Sequence, residues 1–267
     1  MSAPLLIQKD GPVTFVTMNR PDRLNALNLP LVDGLCEFFE SLYRDRNTRI
    51  VVLKAAGRAF CAGLDMAPED GASAGSELSG PRASWELQVR ISDIYRAMRK
   101  CPQPIVSLVQ GAACGGGFSL ALASDIRIAA DTAKMNAAYI KIGLTGCDMG
   151  SSYFLPRLVG ASRAAELIYT GRFVSAQEAL AMQLVSKVVP EEELLEAAKP
   201  LISDMLQTAP MGLRLSKQAL NLAIDAPSLD AALAMEDRHQ ALLAGTSDAK
   251  EAIDAFLNKR PPSYKDR

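Results

Sequence analysis

Residues 105–123 read Ile105-Val106-Ser107-Leu108-Val109-Gln110-Gly111-Ala112-Ala113-Cys114-Gly115-Gly116-Gly117-Phe118-Ser119-Leu120-Ala121-Leu122-Ala123. The first five residues form an apolar run of the length expected for a buried strand, and the segment from Phe118 onward opens as a helix. Glycines between a strand and a helix leave backbone N–H groups bare at the positive end of the helix dipole, where a ligand can reach them. A carboxylate just inside such a helix would be a ready acid/base. This chain has Ser119 there.

Working outward, the same order recurs. Ile50-Val51-Val52-Leu53 reads as a fully buried strand, and a second glycine-bearing segment follows it, Ala59-Phe60-Cys61-Ala62-Gly63-Leu64-Asp65. Residues 5–18 alternate around Asp10-Gly11, which signals a hairpin. Asn28 precedes Leu29-Pro30 as an N-cap, and Leu31, Leu35, Phe38, Phe39 and Leu42 mark an amphipathic helix. The segment 67–82 is rich in Gly, Ala, Ser and Pro and reads as a loop. Its Glu69, Asp70 and Glu77 would enter a site only from a lid. A helix is expected over 83–100 and a strand over Asp125-Ile126-Arg127-Ile128-Ala129. Ser175-Ala176-Gln177-Glu178 reads as a capping box, and 184–189 as a last strand.

Beyond about 190 the pattern is helical. Leu213, Leu220 and Ile224 share one helix face, and Leu229, Leu233 and Leu243 mark the next. Strand–helix alternation predicts an α/β fold, a sheet covered by helices. We divide the chain into an α/β core, 1–204, and a helical C-terminal region, 205–267. No internal repeat is evident.

Composition narrows the function classes. A chain of 267 residues that is 49% hydrophobic can bury a large core. A formal net charge of −1 gives no electrostatic footprint for nucleic acid or an anionic membrane. No run approaches the roughly 18 apolar residues of a membrane span, and the first ten residues lack a signal-peptide pattern. Cys36, Cys61, Cys101, Cys114 and Cys147 are odd in number and never spaced as C-x-x-C, which argues against a disulfide framework and a structural zinc site. One histidine, His239, weakens any metal or Ser-His-Asp reading and is expected at the surface or a subunit contact. A cytoplasmic protein without a metal is the expectation.

Each glycine-bearing loop, taken singly, is explained equally well by close helix–strand packing. Together they offer two backbone N–H groups that can converge as an oxyanion hole for a carbonyl oxygen gaining negative charge. Neither matches G-x-G-x-x-G or a P-loop, so a nucleotide-phosphate cradle is not expected.

The chain resembles the crotonase (enoyl-CoA hydratase/isomerase) superfamily. The matching pieces are Asn19-Arg20-Pro21 with Leu24-Asn25-Ala26-Leu27, then Ala59 through Asp65, and Gly111 through Gly117. They continue with Ala123-Ser124-Asp125-Ile126-Arg127, Leu155-Pro156-Arg157-Leu158-Val159-Gly160, Thr170-Gly171-Arg172 and Phe256-Leu257-Asn258-Lys259-Arg260. They stand in family order and cover essentially the whole chain. The resemblance implies a crotonase-like spiral of ββα units ending in a helical trimerisation region, assembled as a trimer or a dimer of trimers. It implies an acyl-CoA ligand whose thioester carbonyl lies between Leu64 N–H and Gly116 N–H, coenzyme A being part of the substrate rather than a separate cofactor. By the same resemblance the CoA passes Arg23, Leu24, Ala62 and Asp65, and Phe256 and Lys259 reach its nucleotide end from a neighbouring subunit. A cation there suits the anionic phosphates; the alternative for Lys259-Arg260 is a solvated tail.

Two family positions differ. Hydratases of this family carry glutamates two residues after the glycine triplet and four residues before the glycine of the next turn, Gly143 here. Those positions hold Ser119 and Tyr139. Neither replaces a carboxylate base near neutral pH, since an unperturbed tyrosine titrates near pH ~10. Ser119 reads as a structural residue of the first helical turn, and Tyr139 as lining the acyl pocket, hydrogen-bonding the ligand or filling the core. Asp148, in Gly146-Cys147-Asp148-Met149-Gly150, matches the place where some relatives, among them dienoyl-CoA isomerases and an aryl-CoA dehalogenase, carry a catalytic aspartate. Beside an apolar tunnel its pKa would rise, which suits a proton shuttle; the other reading makes it the N-cap of a helix over 149–158. Asp125 reads as a structural residue at a strand edge. An isomerase with Asp148 as its acid/base is therefore favoured over a two-glutamate hydratase. The alternatives are a non-catalytic acyl-CoA binding protein and an aryl-CoA-processing relative with Asp148 as nucleophile.

Overall fold

The computed structural model describes residues 3–66 and 80–267; the greater part of the loop expected over 67–82, with Glu69, Asp70 and Glu77, lies outside them. The chain opens with β1 (Leu5–Asp10) and β2 (Val13–Met18), an antiparallel hairpin in which Asp10 pairs with Val13 across Gly11 and Pro12. The N-cap side chain of Asn28 accepts the Leu31 N–H, and α1 (Leu29–Ser41) buries the five apolar positions read from its periodicity, Leu42 standing just past its end. Then follow β3 (Ile50–Ala55), α2 (Pro81–Lys100), β4 (Ile105–Val109), β5 (Ala112–Cys114), α3 (Gly116–Ala123), β6 (Ile126–Ala130) and β7 (Lys134–Asn136). A short 3-10 turn at Ala138–Ile142 leads to α4 (Ser151–Val159), α5 (Ala161–Thr170), β8 (Val174–Ser175), α6 (Ala176–Ala181) and β9 (Lys187–Val189). Four helices close the chain: α7 (Leu194–Leu206), α8 (Pro210–Ala223), α9 (Leu229–Ala244) and α10 (Ser247–Leu257).

Among the described residues six strands form one sheet in the order β1-β2-β3-β4-β6-β9, parallel except for the first pair. Three short strands form a second sheet, β5-β7-β8. Isolated parallel bridges, Leu27 to Leu64 and Cys61 to Ala113, carry that second layer back under the earlier turns. Each turn of the chain thus runs from a strand of the large sheet through a short piece of the small one into a helix: β4, β5, α3, then β6, β7, α4. This is the spiral of ββα units that the resemblance implied, and it is a repeat of structure without a repeat of sequence. The second strand of each unit is missing from the sequence reading because three residues are too few to show a period.

Helices cover both faces of the large sheet, which is why its strands read as continuous apolar runs. Along β3, Val51 and Leu53 point into the larger core with Phe38, Phe39, Ile94 and Met98. Ile50 and Val52 point to the other face, where Leu194, Ala198 and Ile202 of α7 pack. The boundary expected at 204/205 falls inside the last turn of α7. Past it, exposure rises: Leu220 is 74% exposed, Leu229 72% and Phe256 83%.

Small departures have local causes. The strand expected over 184–189 begins at Lys187, because the N–H groups of Leu184 and Val185 turn back to Ala179 O. Only half the capping box forms: Ser175 Oγ accepts the Glu178 N–H, while the Glu178 carboxylate pairs with Arg172. Among the described residues no helix is long and apolar enough to cross a membrane.

Candidate active site

The two glycine-bearing loops meet at the start of α3. Cys61 N–H bonds to Ala112 O at 3.0 Å, and Cys114 N–H to Cys61 O at 2.9 Å. Beside them Leu27 N–H bonds to Gly63 O at 2.7 Å and Asp65 N–H to Leu27 O at 3.0 Å. That register uses the groups flanking Leu64 and turns Leu64 N–H to the opposite side of its strand. Among the described residues neither Leu64 N–H nor Gly116 N–H has an acceptor.

Two glycines permit this approach. Gly63 has φ +97°, and a Cβ there would lie 2.9 Å from Cys114 O and 3.6 Å from Gly116 N. A Cβ on Gly117 would lie 2.1 Å from Cys61 O. The loops touch because they lack side chains, and the contact places Gly63, the neighbour of Leu64, against Cys114 and Gly116.

Buried side chains hold the glycine turn from behind. Tyr95 of α2 donates to Gly116 O at 3.0 Å and contacts Met149 Sδ at 3.2 Å. Tyr139 donates to Gly115 O at 2.7 Å, and its oxygen lies 2.5 Å from Ser119 Oγ. Both tyrosines are almost wholly buried, and burial pushes both phenols above their ordinary value. The two positions matching the family glutamates thus do come together, but as a neutral hydrogen-bonded pair. Cys61 is fully buried as well; burial pushes its thiol up to about 12, so it is no nucleophile near neutral pH.

Asp148 directly precedes Met149 in the chain. It is half-buried, and desolvation lifts its carboxyl above the ordinary value while donors from Met149 N–H and Gln88 pull it back. Met149 N–H reaches Oδ1 at 2.7 Å, and Gln88 Nε2 of α2 bonds to the same oxygen. Oδ2 has no partner among the described residues. The N-cap reading is not what forms: α4 begins at Ser151, its N-cap is Gly150, and no side chain caps it.

The residues assigned to the CoA path form one assembly. Asp65 receives Arg20 at 2.9 Å and Arg23 at 2.9 Å, its carboxylate nearly buried and the Arg23 side chain half exposed. Ala62 N–H bonds to Leu24 O at 3.0 Å, and Leu24 takes a left-handed φ of 51° to present that carbonyl. Phe256 and Lys259 lie apart, exposed at the end of α10. Asp125 accepts the Ile105 N–H and pairs with Arg99 and Lys217, tying α2 and α8 to the sheet. His239 lies on α9 at the groove it forms with α8.

Sequence reasoning missed Tyr95 and Gln88. Tyr95 shares the buried face of α2 with Ile91, Ile94 and Met98, so it reads as core; nothing in the pattern reveals where its hydroxyl points. Arg20 was noted only within a motif, and its pairing with Asp65 spans 45 residues.

Solved structures share this fold. A probable enoyl-CoA hydratase/isomerase from Mycobacterium abscessus superposes with a TM-score of 0.90 at 33% identity over 99% of each chain, which defines a crotonase fold. Residues 8–267 match the family described as Enoyl-CoA hydratase/isomerase, and the chain belongs to that family, whose members act on CoA thioesters. A probable enoyl-CoA hydratase of Mycobacterium tuberculosis, EchA12, is 36% identical over 98% of this chain and 93% of its own length. The 1,2-epoxyphenylacetyl-CoA isomerase of Escherichia coli is 35% identical over 97% of each.

Proposed function

We propose that this enzyme moves a double bond within an enoyl-CoA thioester. The observation that carries the reading is one half-buried carboxylate, Asp148, with an unpartnered oxygen among the described residues, in the residue before Met149, whose sulfur would lie 3.0 Å from a Cβ on Gly116. The thioester oxygen sits between Leu64 N–H and Gly116 N–H. Asp148 removes a proton from the α-carbon of a β,γ-enoyl thioester, and the two N–H groups hold the resulting dienolate oxyanion. The carboxylic acid then returns the proton to the γ-carbon. One carboxylate serves both transfers, whereas hydration of the two-glutamate type uses a second one to activate water. The upward displacement of the Tyr139 phenol supports this choice, since it removes Tyr139 as a base near neutral pH. The name of the Escherichia coli relative, a 1,2-epoxyphenylacetyl-CoA isomerase, favours isomerisation over hydration and brings aryl thioesters within the substrate class.

The CoA moiety, entering as part of the substrate with no further cofactor or metal, runs along Arg23, Leu24, Ala62 and Asp65. Phe256 and Lys259 close over its nucleotide from a neighbouring subunit, in a trimer or dimer of trimers built on the exposed apolar faces of α8, α9 and α10. The cytoplasm is the proposed compartment. A second reading, acyl-CoA binding without turnover, is favoured by the hydrogen bonds from Met149 and Gln88 that occupy Asp148 Oδ1. Incubation with α,β-enoyl, β,γ-enoyl, dienoyl and aryl-acyl CoA thioesters, followed by mass and absorbance, separates the two. Interconversion at constant mass supports the isomerase; a gain of one water identifies a hydratase instead. Tight binding without any product leaves only the binding protein.

A further inference from the structure

We propose that Tyr139 and Ser119 are positioning residues for the Gly116 N–H, converting the two glutamate positions from acid/base chemistry to support of the oxyanion donor. This deepens the reading above and rests on Gly116 N–H being an oxyanion donor.

The argument begins with proton counting. Tyr139 has one hydroxyl hydrogen and two closest partners, Gly115 O at 2.7 Å and Ser119 Oγ at 2.5 Å, with the Ser151 hydroxyl as a further hydrogen-bonding neighbour. A carbonyl cannot donate, so the phenol hydrogen belongs to Gly115 O. Ser119 must then donate to the phenol oxygen. Its other acceptor, Asp148 O, is farther, at 3.5 Å. The chain of bonds has one direction: Ser119 Oγ–H to Tyr139 Oη, Tyr139 O–H to Gly115 O.

Gly115 O and Gly116 N–H belong to one planar peptide, on opposite sides of the C–N bond. A donor on that oxygen fixes the plane of the peptide and hence the direction of the N–H. It also draws electron density from the amide and makes the N–H a stronger donor, as in other chains of linked hydrogen bonds in a low dielectric. Ser119 N–H bonds to the same oxygen at 3.0 Å, so Gly115 O carries both its donors. Tyr95 holds the next carbonyl, Gly116 O, at 3.0 Å. The N–H is thus fixed from both neighbouring carbonyls. Ser119 is fully buried and Tyr139 only 5% exposed, so water does not compete for these bonds.

The test reads polarisation of the bound carbonyl. The probe is para-dimethylaminocinnamoyl-CoA, whose absorbance moves to the red when its thioester oxygen accepts strong hydrogen bonds. The wild-type chain is expected to bind it with a red shift, and Asp148→Asn to keep that shift while losing turnover. Tyr139→Phe should lose more than half of the shift and, on any substrate turned over, lower kcat about tenfold with KM little changed. Ser119→Ala should lose a smaller part. Ring-fluorinated tyrosine at 139, a near-isosteric and stronger donor, should enlarge the shift even if Tyr139→Phe fails to fold. A full shift in Tyr139→Phe, or an unchanged one with the fluorinated residue, overturns the positioning role while leaving the oxyanion hole standing. Absence of any red shift in the wild-type chain overturns the oxyanion hole and this inference with it.

Discussion

Around Gly116 the groups proposed to meet a ligand are backbone N–H groups, held by glycines that tolerate no Cβ and by buried tyrosine hydroxyls. Asp148, by contrast, is a half-buried side chain on an irregular segment, steadied by Gln88 and its own neighbour's N–H. The contrast separates two requirements. Stabilising a developing charge needs donors that do not reorganise, so they belong in the core. Moving a proton between two carbons needs a group with some freedom and a raised pKa, so it belongs at the edge of the core. Substitutions should therefore break the donor side by destabilising the fold and the acid side by altering chemistry in a stable one.

Gly117→Ala should act most strongly. A Cβ 2.1 Å from Cys61 O forces backbone apart, and a loss of about 3 kcal/mol or more, or failure to fold, is expected in urea unfolding. A fully stable Gly117→Ala would show that the loops do not touch as described. Asp65→Ala should follow, by about 3 kcal/mol, because it removes a nearly buried carboxylate that receives both Arg20 and Arg23. Acyl-CoA affinity should fall with it; unfolding midpoints together with ligand titration check both.

On the acid side Gln88→Leu should barely change stability but should move the pH profile. Gln88 lowers the Asp148 pKa, so its removal raises that pKa. A base works only when ionised, so the acidic limb of kcat/KM should shift to higher pH. An unmoved limb would mean that the titrating group is not Asp148. Asp148→Asn has the smallest expected effect on stability, and it is a gain. The folded chain holds the Asp148 proton more tightly than the unfolded chain, so wild-type stability is fullest below the unfolded pKa and falls as pH rises through the raised folded value. The asparagine variant lacks that fall. Its Tm should exceed the wild-type value slightly at neutral pH, and the difference should vanish on acidification.

Much of the donor side was legible in the sequence, because bare backbone requires glycine and glycine is visible. Gly63 and Gly115–Gly117 flag the loops, and the apolar runs at β3 and β4 fix where those loops leave the sheet. The bonds that hold them were not legible. Tyr95 and Tyr139 both sit where an apolar residue would fit, and a hydroxyl's direction follows from tertiary packing rather than from local pattern. The same holds for Ser119: its place in the first turn of α3 is readable, its bond to a residue twenty positions on is not. Asp148 was visible as a candidate acid; the cap reading gave way because Met149, with φ +48°, and Gly150 delay the helix to Ser151.

The most direct test of the central claim is isomerisation of a β,γ-enoyl-CoA by wild-type protein and by Asp148→Asn, with acyl-CoA affinity measured in parallel. The account predicts that kcat falls by at least about a hundredfold while affinity is retained. Turnover that survives Asp148→Asn at the wild-type rate would contradict it and place the acid/base elsewhere.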